Sequence, residues 1–135
     1  MNILYVEDYA PSATLLRAAL QRSAPDMRVE TVSTVGQAIE RLQQVADDTD
    51  EAARYDIVLT DLNLSDRSGL EILSFVRQRR WALAVVVLSA STDEEMMADP
   101  RLAAADAYIC KRNDYLSALP GALRTAAARF RAGQR

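Results

Sequence analysis

The sequence of 135 residues contains no histidine and a single cysteine, Cys110. Metal or acid–base chemistry that depends on imidazole is therefore excluded. A lone cysteine cannot form an internal disulfide, which agrees with a reducing cytoplasm. Glycine and proline are also scarce, with four of each, whereas half of the residues are apolar. This composition excludes a fibrous or disordered chain and favours one compact domain.

Long apolar stretches are also missing. The longest runs from Trp81 to Leu88, far short of the roughly 20 residues that a membrane span needs. No basic segment followed by a long apolar stretch stands near the first residue, so we expect no secretory signal. The formal net charge of −3 argues against direct binding of nucleic acid by this domain.

Lysine is nearly absent. Of the 16 basic residues, every one except Lys111 is arginine. Codon bias alone would explain the arginines and leave one lysine by chance. However, a compact ammonium group fits where a planar guanidinium does not, and this makes Lys111 a candidate functional residue.

Short apolar runs alternate with segments of helical periodicity along the whole chain. Apolar strands separated by helices predict an α/β fold, in which a parallel sheet with right-handed crossovers carries helices on both faces. The predicted strands are residues 3–6, 27–32, 57–59, 84–88 and 108–110. The predicted helices are residues 12–25, 35–45, 70–76, 93–105 and 114–131.

Polar residues follow four of these strands. Glu7 and Asp8 follow the first strand, Asp61 the third, Ser89 the fourth and Lys111 the fifth. In the strand order 2-1-3-4-5 these four strands are neighbours, and ligands of such sheets bind beyond the carboxyl ends of the strands. The sequence therefore predicts one cleft with three carboxylates, a hydroxyl and an ammonium group.

Three clustered carboxylates repel one another unless a cation joins them, and Mg²⁺ prefers oxygen ligands of this kind. The charges of the metal and of Lys111 would make the cleft neutral, so that a phosphoryl group can bind between them and the Ser89 hydroxyl. A carboxylate in that position can attack phosphorus and form an acyl phosphate.

Four motifs together resemble the receiver domains of bacterial two-component response regulators, and the resemblance covers essentially the whole chain. The motifs are Val6-Glu7-Asp8, the segment 61–69 (DLNLSDRSG), Leu88-Ser89-Ala90 and the segment 108–111 (YICK). The family has a flavodoxin-like, doubly wound fold with five parallel strands in the order 2-1-3-4-5.

The resemblance implies a role for each residue of the cleft. Asp61 would be the phosphoacceptor. Mg²⁺ would be bound directly by Asp8 and Asp61, through water by Glu7, and by the backbone carbonyl of Asn63. Lys111 would bind a phosphoryl oxygen.

The resemblance also implies a phosphorylation-dependent switch rather than an ordinary enzyme. The chain would take a phosphoryl group from a histidine kinase or phosphotransfer protein and promote its own phosphorylation and dephosphorylation. Ser89 and Tyr108 would carry the conformational change to a partner or output domain. We expect residues 1–135 to be a single cytoplasmic receiver domain that binds no membrane, and homodimerisation stays open. The chain contains no output domain, so it either binds partners directly or is a piece of a longer regulator. The cognate kinase and the pathway do not follow from the sequence.

Simpler interpretations of single residues stay open. Glu7 and Asp8 alone are compatible with a helix cap, Ser89 with a loop hydroxyl and Tyr108 with a half-exposed strand residue. Gly69 fits a position with positive φ before a helix. Solvated loop charges are the simplest interpretation of Asp66, Arg67 and Asp106.

Other function classes fit less well. An aspartate-nucleophile phosphatase needs a second Asp where Asn63 stands. A nucleotide or flavin carrier needs a phosphate-binding loop rich in Gly or Ser/Thr where Glu7 and Asp8 stand. A receiver-like module that is not phosphorylated usually lacks one of the acids or the lysine, and none is missing here.

The sequence departs from the family at several positions. Arg112 follows Lys111 where the family usually has a cis-proline, so we expect a trans bond and a rearranged loop, because a cis bond before another residue costs roughly 2.5–4 kcal/mol. Ser65 replaces a frequent proline, which should loosen its loop. Asp99-Pro100 would divide the helix at 93–105 into two pieces and put the usual dimer surface in doubt. Pro120-Gly121 should disturb the start of the last helix. The acidic segment 45–55 is expected to be an exposed insertion or a frayed helix end.

Overall fold

The computed structural model describes residues 1–48, 54–90, 99–112 and 114–133. Within these ranges strands and α-helices alternate, and a 3-10 helix at Pro100–Ala104 precedes the last strand. The strands are β1 (Asn2–Val6), β2 (Arg28–Val32), β3 (Ile57–Asp61), β4 (Ala84–Ser89) and β5 (Ala107–Cys110). The helices are α1 (Ala10–Ser23), α2 (Val35–Ala46), α3 (Leu70–Gln78) and α4 (Tyr115–Gly133). No helix within the described part is long and apolar enough to cross a membrane.

The strands form one parallel sheet in the order β2-β1-β3-β4-β5, which confirms the predicted architecture. Val6, the last residue of β1, lies beside Thr60 of β3, and Ser89, the last residue of β4, lies beside Cys110 of β5. Since the strands end level with one another, the residues that follow them meet at the carboxyl edge of the sheet.

The core lies on both faces of the sheet because side chains alternate along each strand. Ile3 and Leu59 pack on one face with α1 and α4, whereas Leu4 and Val58 pack on the other face with α2 and α3. All four side chains are fully buried. The edge strand β2 is more exposed, as its alternating pattern predicts.

The loop between β3 and α3 is fastened to α2. Asp66 accepts hydrogen bonds from the backbone amides of Val35 (3.1 Å) and Gly36 (3.2 Å) in the first turn of that helix. The interpretation of Asp66 as a solvated charge was therefore wrong, since its carboxylate caps a helix N-terminus. A backbone bridge between Asn63 and Ser68 closes the same loop and opposes the loosening expected from Ser65.

Asp106 is likewise a structural residue and not a solvated charge. Its carboxylate accepts hydrogen bonds from the backbone amide of Val85 and from the guanidinium of Arg77, both at 2.7 Å. Arg77 also donates to the carbonyl oxygen of Ala104 (2.9 Å) and so joins α3 to the 3-10 helix. Arg67, in contrast, is a largely exposed charge, with 47% of its side chain accessible and an ion pair to Glu71.

The proline near the start of α4 does not interrupt the helix. The helix continues from Tyr115 to Gly133 through Pro120. Proline removes one hydrogen bond, but Leu119, Pro120 and Leu123 are all buried, and their packing keeps the segment helical. The predicted disturbance at Pro120 was therefore wrong.

The remaining expectations have mixed outcomes. The Lys111–Arg112 peptide bond is trans, as predicted. Asp99 caps the 3-10 helix by accepting a hydrogen bond from the amide of Arg101 at 2.9 Å, which confirms the second of the two predicted helical pieces. Residues 91–98, which contain most of the first piece, lie outside the described part. Of the acidic segment, residues 49–53 lie outside it too. Tyr55 is buried and its hydroxyl accepts a hydrogen bond from Arg41, so the expected exposed insertion does not extend to it.

Helix α3 ends in a left-handed turn that is occupied by arginine. Arg80 has φ 54°, and the amides of Arg80 and Trp81 bond back to the carbonyl oxygens of Arg77 and Val76, both at 3.2 Å. This pattern terminates many helices, usually with glycine at the left-handed position because a side chain is strained there.

We therefore expect Arg80→Gly to raise the free energy of unfolding by about 0.5–1 kcal/mol. Urea denaturation followed by circular dichroism measures the change. Arg17→Gly is the matched control, since Arg17 is exposed in the middle of α1, and it should lower the same quantity by about 1 kcal/mol. Equal losses in the two variants would contradict the expectation.

Candidate functional site

Three acidic side chains meet at the carboxyl edge of the sheet. Glu7 and Asp8 follow β1, and Asp61 is the last residue of β3. One carboxylate oxygen from each of them lies within 4.8 Å of the others. Glu7 is buried, Asp61 is partly buried and Asp8 is exposed, so the cluster opens to solvent on the side of Asp8.

The one lysine of the chain lies between two of these acids. The Nζ atom of Lys111 donates to Oε2 of Glu7 at 3.0 Å and to Oδ2 of Asp61 at 3.2 Å. Only 15% of the Lys111 side chain and 2% of the Glu7 side chain are exposed. These ion pairs are therefore far less screened by water than surface pairs.

Glu7 is held by further donors. The backbone amide of Tyr9 donates to its Oε1 at 3.1 Å, and the hydroxyl of Tyr5 donates to its Oε2 at 3.3 Å. Tyr5 is fully buried in the core beneath the site. Both oxygens of Glu7 thus have partners from the protein, which satisfies a carboxylate at a buried position.

The shared environment moves the pKa values of the two acids in opposite directions. Burial opposes the charged form of Glu7, but the hydrogen bonds with Lys111, Asp61 and Tyr9 outweigh it and lower the pKa of Glu7. For Asp61, burial and a hydrogen bond with Glu7 raise the pKa to about 6, although Lys111 opposes the shift. Burial also opposes the charge of Lys111, yet Glu7 and Asp61 keep the pKa of that ammonium raised. Glu7 is therefore the stable anion of the cluster, and Asp61 is the carboxylate whose charge is least favourable.

Ser89 and Asn63 lie at the same edge, whereas Tyr108 lies inside β5. Ser89 is buried at the end of β4, and its carbonyl oxygen accepts from the amide of Lys111 at 2.7 Å. Asn63 lies two residues after Asp61 in the loop that Asp66 fastens to α2. Tyr108 pairs with Val87 on β5, and its side chain is partly buried against the α2–α3 face of the core.

Residues 3–119 match the family model described as the response regulator receiver domain. The chain belongs to this family. It is 26% identical over 111 residues to the DNA-binding transcriptional activator DevR/DosR of Mycobacterium tuberculosis, a match that covers 82% of this chain and 48% of that protein. It is 35% identical over 92 residues to the transcriptional regulatory protein BasR of Escherichia coli, with 67% of this chain and 36% of BasR covered. The receiver domain thus spans about half, or less, of the length of these relatives.

Solved structures agree with the family assignment. A sensor protein from Polaromonas sp. JS666 superposes with a TM-score of 0.75 at 28% identity, covering 96% of this chain and 97% of that one. The response regulator protein TrrA from Thermotoga maritima, in complex with Mg(2+)-BeF, gives a TM-score of 0.74 at 22% identity, covering 92% and 97%. At that identity the second likeness concerns the fold.

The acidic cluster of this receiver domain fits a hard divalent cation. Its three oxygen donors come from carboxylates, and Mg²⁺ and Ca²⁺ prefer such ligands. Lys111 pairs with Glu7 and Asp61, and its single positive charge offsets only part of the charge of three carboxylates.

Gly69 lies directly against the backbone of Asp61. A Cβ atom at this glycine would lie 2.1 Å from the carbonyl oxygen of Asp61 and 2.9 Å from Oγ1 of Thr60. Its φ is −59°, so the proposed need for positive φ was wrong. Glycine is required because the start of α3 packs against the end of β3 without room for a side chain.

Tyr5 has a contact in the site that the sequence analysis missed. Extended backbone places residues i and i+2 on the same side, so Glu7, directly after β1, lies on the same side of the sheet as Tyr5. That spacing was a usable signal, but it competes with the ordinary interpretation of a tyrosine inside an apolar run as part of the core.

We expect Gly69→Ala to lower the free energy of unfolding by about 2 kcal/mol or more, because backbone atoms cannot move aside cheaply. Chemical denaturation measures the loss. Gly121→Ala is the control: it has nothing within 4 Å of its Cβ position and lies inside α4, so it should be neutral or stabilising by up to about 1 kcal/mol. A Gly69→Ala variant as stable as the parent protein would contradict the steric argument.

We further expect Asp61→Asn to stabilise the metal-free protein at pH 7.5. Because the folded-state pKa of Asp61 is raised, its favourable contribution is complete below the unfolded pKa of about 3.9 and is lost as the pH rises through about 6. The gain should be about 1–2 kcal/mol at pH 7.5 and near zero at pH 4, as measured by urea denaturation. Asp26→Asn, at a side chain that is 64% exposed, should change stability by less than about 0.5 kcal/mol at both pH values. A gain of the same size at both pH values would contradict this explanation.

Proposed function

We propose that this receiver domain accepts a phosphoryl group on Asp61 and changes conformation as a result. The observation that carries the proposal is the position of Lys111, whose Nζ atom bonds to Asp61 and to Glu7 at the open acidic edge. An ammonium group beside a carboxylate nucleophile is the arrangement that a phosphoryl group requires, because negative charge spreads over its oxygens during transfer.

The proposed reaction is a direct displacement at phosphorus. A carboxylate oxygen of Asp61 forms the new O–P bond while the P–N bond of a phosphohistidine donor breaks. The departing imidazole nitrogen keeps the electron pair of the broken bond. With a pKa of about 6, Asp61 is mostly ionised at neutral pH and keeps the lone pair that the attack needs.

The residues of the acidic edge would bind magnesium. Asp8 and Asp61 would ligate it directly, Glu7 through water and Asn63 through its backbone carbonyl. When bound, Mg²⁺ supplies positive charge to offset the charge of the phosphoryl oxygens and of the acids. Lys111 would bind one phosphoryl oxygen, and the Ser89 hydroxyl would bind another.

The conformational signal would leave the site along β4 and β5. Ser89 ends β4 beside Cys110, and Tyr108 lies two residues earlier on β5. A Ser89 hydroxyl drawn to the phosphoryl group would free space into which Tyr108 turns, and the outer face of β5 would then present a different surface. Such a switch needs a protein that donates the phosphoryl group and a protein or domain that binds the changed surface. The donor would be a histidine kinase or phosphotransfer protein. The changed surface would be bound by a partner protein, an output domain or a second copy of the chain.

The likeness to solved structures supports the same reading. The TrrA structure is a complex with Mg(2+)-BeF, and the cyanobacterial phytochrome response regulator RcpA, 29% identical to this chain, was crystallised in its phosphorylated form. We propose that residues 1–135 act as one receiver domain in the cytoplasm and do not themselves bind nucleic acid or a membrane.

The test is phosphorylation by acetyl phosphate, followed by intact-protein mass spectrometry. We expect the parent protein to gain one phosphoryl group with Mg²⁺ and none with excess EDTA. Asp61→Asn should gain none, and Lys111→Arg should react at least about tenfold more slowly, because a guanidinium does not reproduce the compact ammonium.

Asp26→Asn is the control and should react at the parental rate, since Asp26 is exposed and pairs with Arg124 away from the site. Equal phosphoryl incorporation by the parent protein and Asp61→Asn would place the acceptor elsewhere. No incorporation by the parent protein, with beryllofluoride also failing to bind, would exclude the proposed function.

A further inference from the structure

A buried hydroxyl outside the predicted set contacts the acidic edge. The Tyr5 side chain is fully buried, and its hydroxyl lies 3.3 Å from Oε2 of Glu7. The same oxygen accepts from Nζ of Lys111 at 3.0 Å. Two donors, one on β1 and one directly after β5, therefore converge on one carboxylate oxygen.

The Tyr5 hydroxyl is held rigidly. Its ring packs in the core between the sheet and the α1–α4 layer, with Leu16, Leu59 and Leu119 in the same cluster. A ring in a close-packed core has few alternative positions. The long Lys111 side chain, in contrast, extends into the cleft and divides its bonds between Glu7 and Asp61.

The chemistry of the phenol also suits this contact. A tyrosine phenol carries its proton at physiological pH, since it ordinarily loses that proton only at about pH 10. A carboxylate has no proton to give, so the phenol can only donate to it. The contact is therefore a fixed donor directed at Glu7 in every state in which Glu7 is ionised.

The two donors behave differently once a phosphoryl group is present. Lys111 is the ammonium group beside Asp61, and a phosphoryl oxygen on Asp61 would compete with Glu7 for it. The Tyr5 side chain lies in the core rather than in the cleft, so its hydroxyl would stay with Glu7. Without Tyr5, the Oε2 atom of Glu7 would lose its remaining side-chain donor at the moment Lys111 turns away.

We propose that Tyr5 is a positioning residue that holds the Glu7 carboxylate in its orientation toward the cation site, including while Lys111 binds the phosphoryl group. The inference rests on the proposed function. It adds a buried hydroxyl, that of Tyr5, as a group that supports the Glu7 carboxylate from inside the core. Donors that orient a metal-binding carboxylate from behind commonly govern affinity for the ion.

The test measures Mg²⁺ binding to the unphosphorylated protein by isothermal titration calorimetry. Tyr5→Phe keeps the ring and removes the hydroxyl, and we expect its Mg²⁺ dissociation constant to rise roughly tenfold. Tyr55→Phe is the matched control, because Tyr55 is also buried and bonds through its hydroxyl to Arg41 away from the acids. It should bind Mg²⁺ like the parent protein.

A double-mutant cycle separates positioning from a general loss of stability. In a Glu7→Ala background there is no carboxylate to orient, so Tyr5→Phe should have no further effect on the dissociation constant. At saturating Mg²⁺, Tyr5→Phe should also slow phosphorylation by acetyl phosphate by roughly threefold to tenfold. The reason is that Glu7 would have neither side-chain donor on its Oε2 atom once Lys111 binds the phosphoryl group.

The inference is overturned if Tyr5→Phe binds Mg²⁺ within about twofold of the parent protein, or if it weakens binding equally in the Glu7→Ala background. In those cases the parent protein still binds Mg²⁺ and the proposed function stands. Absence of Mg²⁺ binding by the parent protein would overturn both. Tyr5→Met, which lacks the hydroxyl but fills an apolar core, replaces Tyr5→Phe in every arm if the latter fails to fold.

Discussion

Repulsion among three carboxylates at one edge of a parallel sheet is the constraint on which the rest of this site depends. The strands end level with one another, so Glu7, Asp8 and Asp61 cannot avoid each other. One ammonium group, Lys111, offsets only part of their charge. The protein resolves the conflict unevenly, by surrounding Glu7 with donors and leaving Asp61 with an unfavourable charge. Asp61, whose charge is the less favourable one, is the acid from which reactivity is expected, because a cation would improve its surroundings most.

This imbalance links ligand binding to the stability of the fold. Gly69 has no room for a side chain because α3 starts directly against the backbone of Asp61, and the cluster above it repels itself. Any group that neutralises the edge binds the folded chain and not the unfolded one, so it adds its binding free energy to stability. An acidic edge that is unfavourable when empty is compatible with the proposed switch, in which occupancy of the edge would favour the second conformation.

The sequence was sufficient for the fold and for the meeting of three acids and Lys111 at one edge, and insufficient for the contacts that support them. Apolar runs and the polar residues after them are local patterns, and they predicted the strands and the edge where the strands end, whereas the strand order came with the resemblance to receiver domains. The errors concern partners that are distant in sequence. Asp66 caps a helix that starts 31 residues earlier, and Asp106 binds an amide 21 residues earlier. Nothing in the residues around either acid distinguishes such a carboxylate from a solvated one. Pro120 shows the reverse error, because a local rule against proline in helices was overridden by the packing of its buried face.

Lys111 reaches the acids of the site although the residue after it is not the proline that the family usually has. The usual proline after this lysine is replaced by Arg112, and the peptide bond between them is trans. Two backbone hydrogen bonds fix the position instead. The amide of Lys111 bonds to the carbonyl oxygen of Ser89 at 2.7 Å and extends the parallel ladder one residue past β5, while the amide of Arg112 bonds back to Cys110 at 2.8 Å and turns the chain. The ladder sets where the Lys111 Cα lies, and the ammonium reaches both acids with Arg112 as the next residue. Proline at the next position is therefore one way to shape the loop toward the last helix, and not a condition for the charge arrangement on which the site depends.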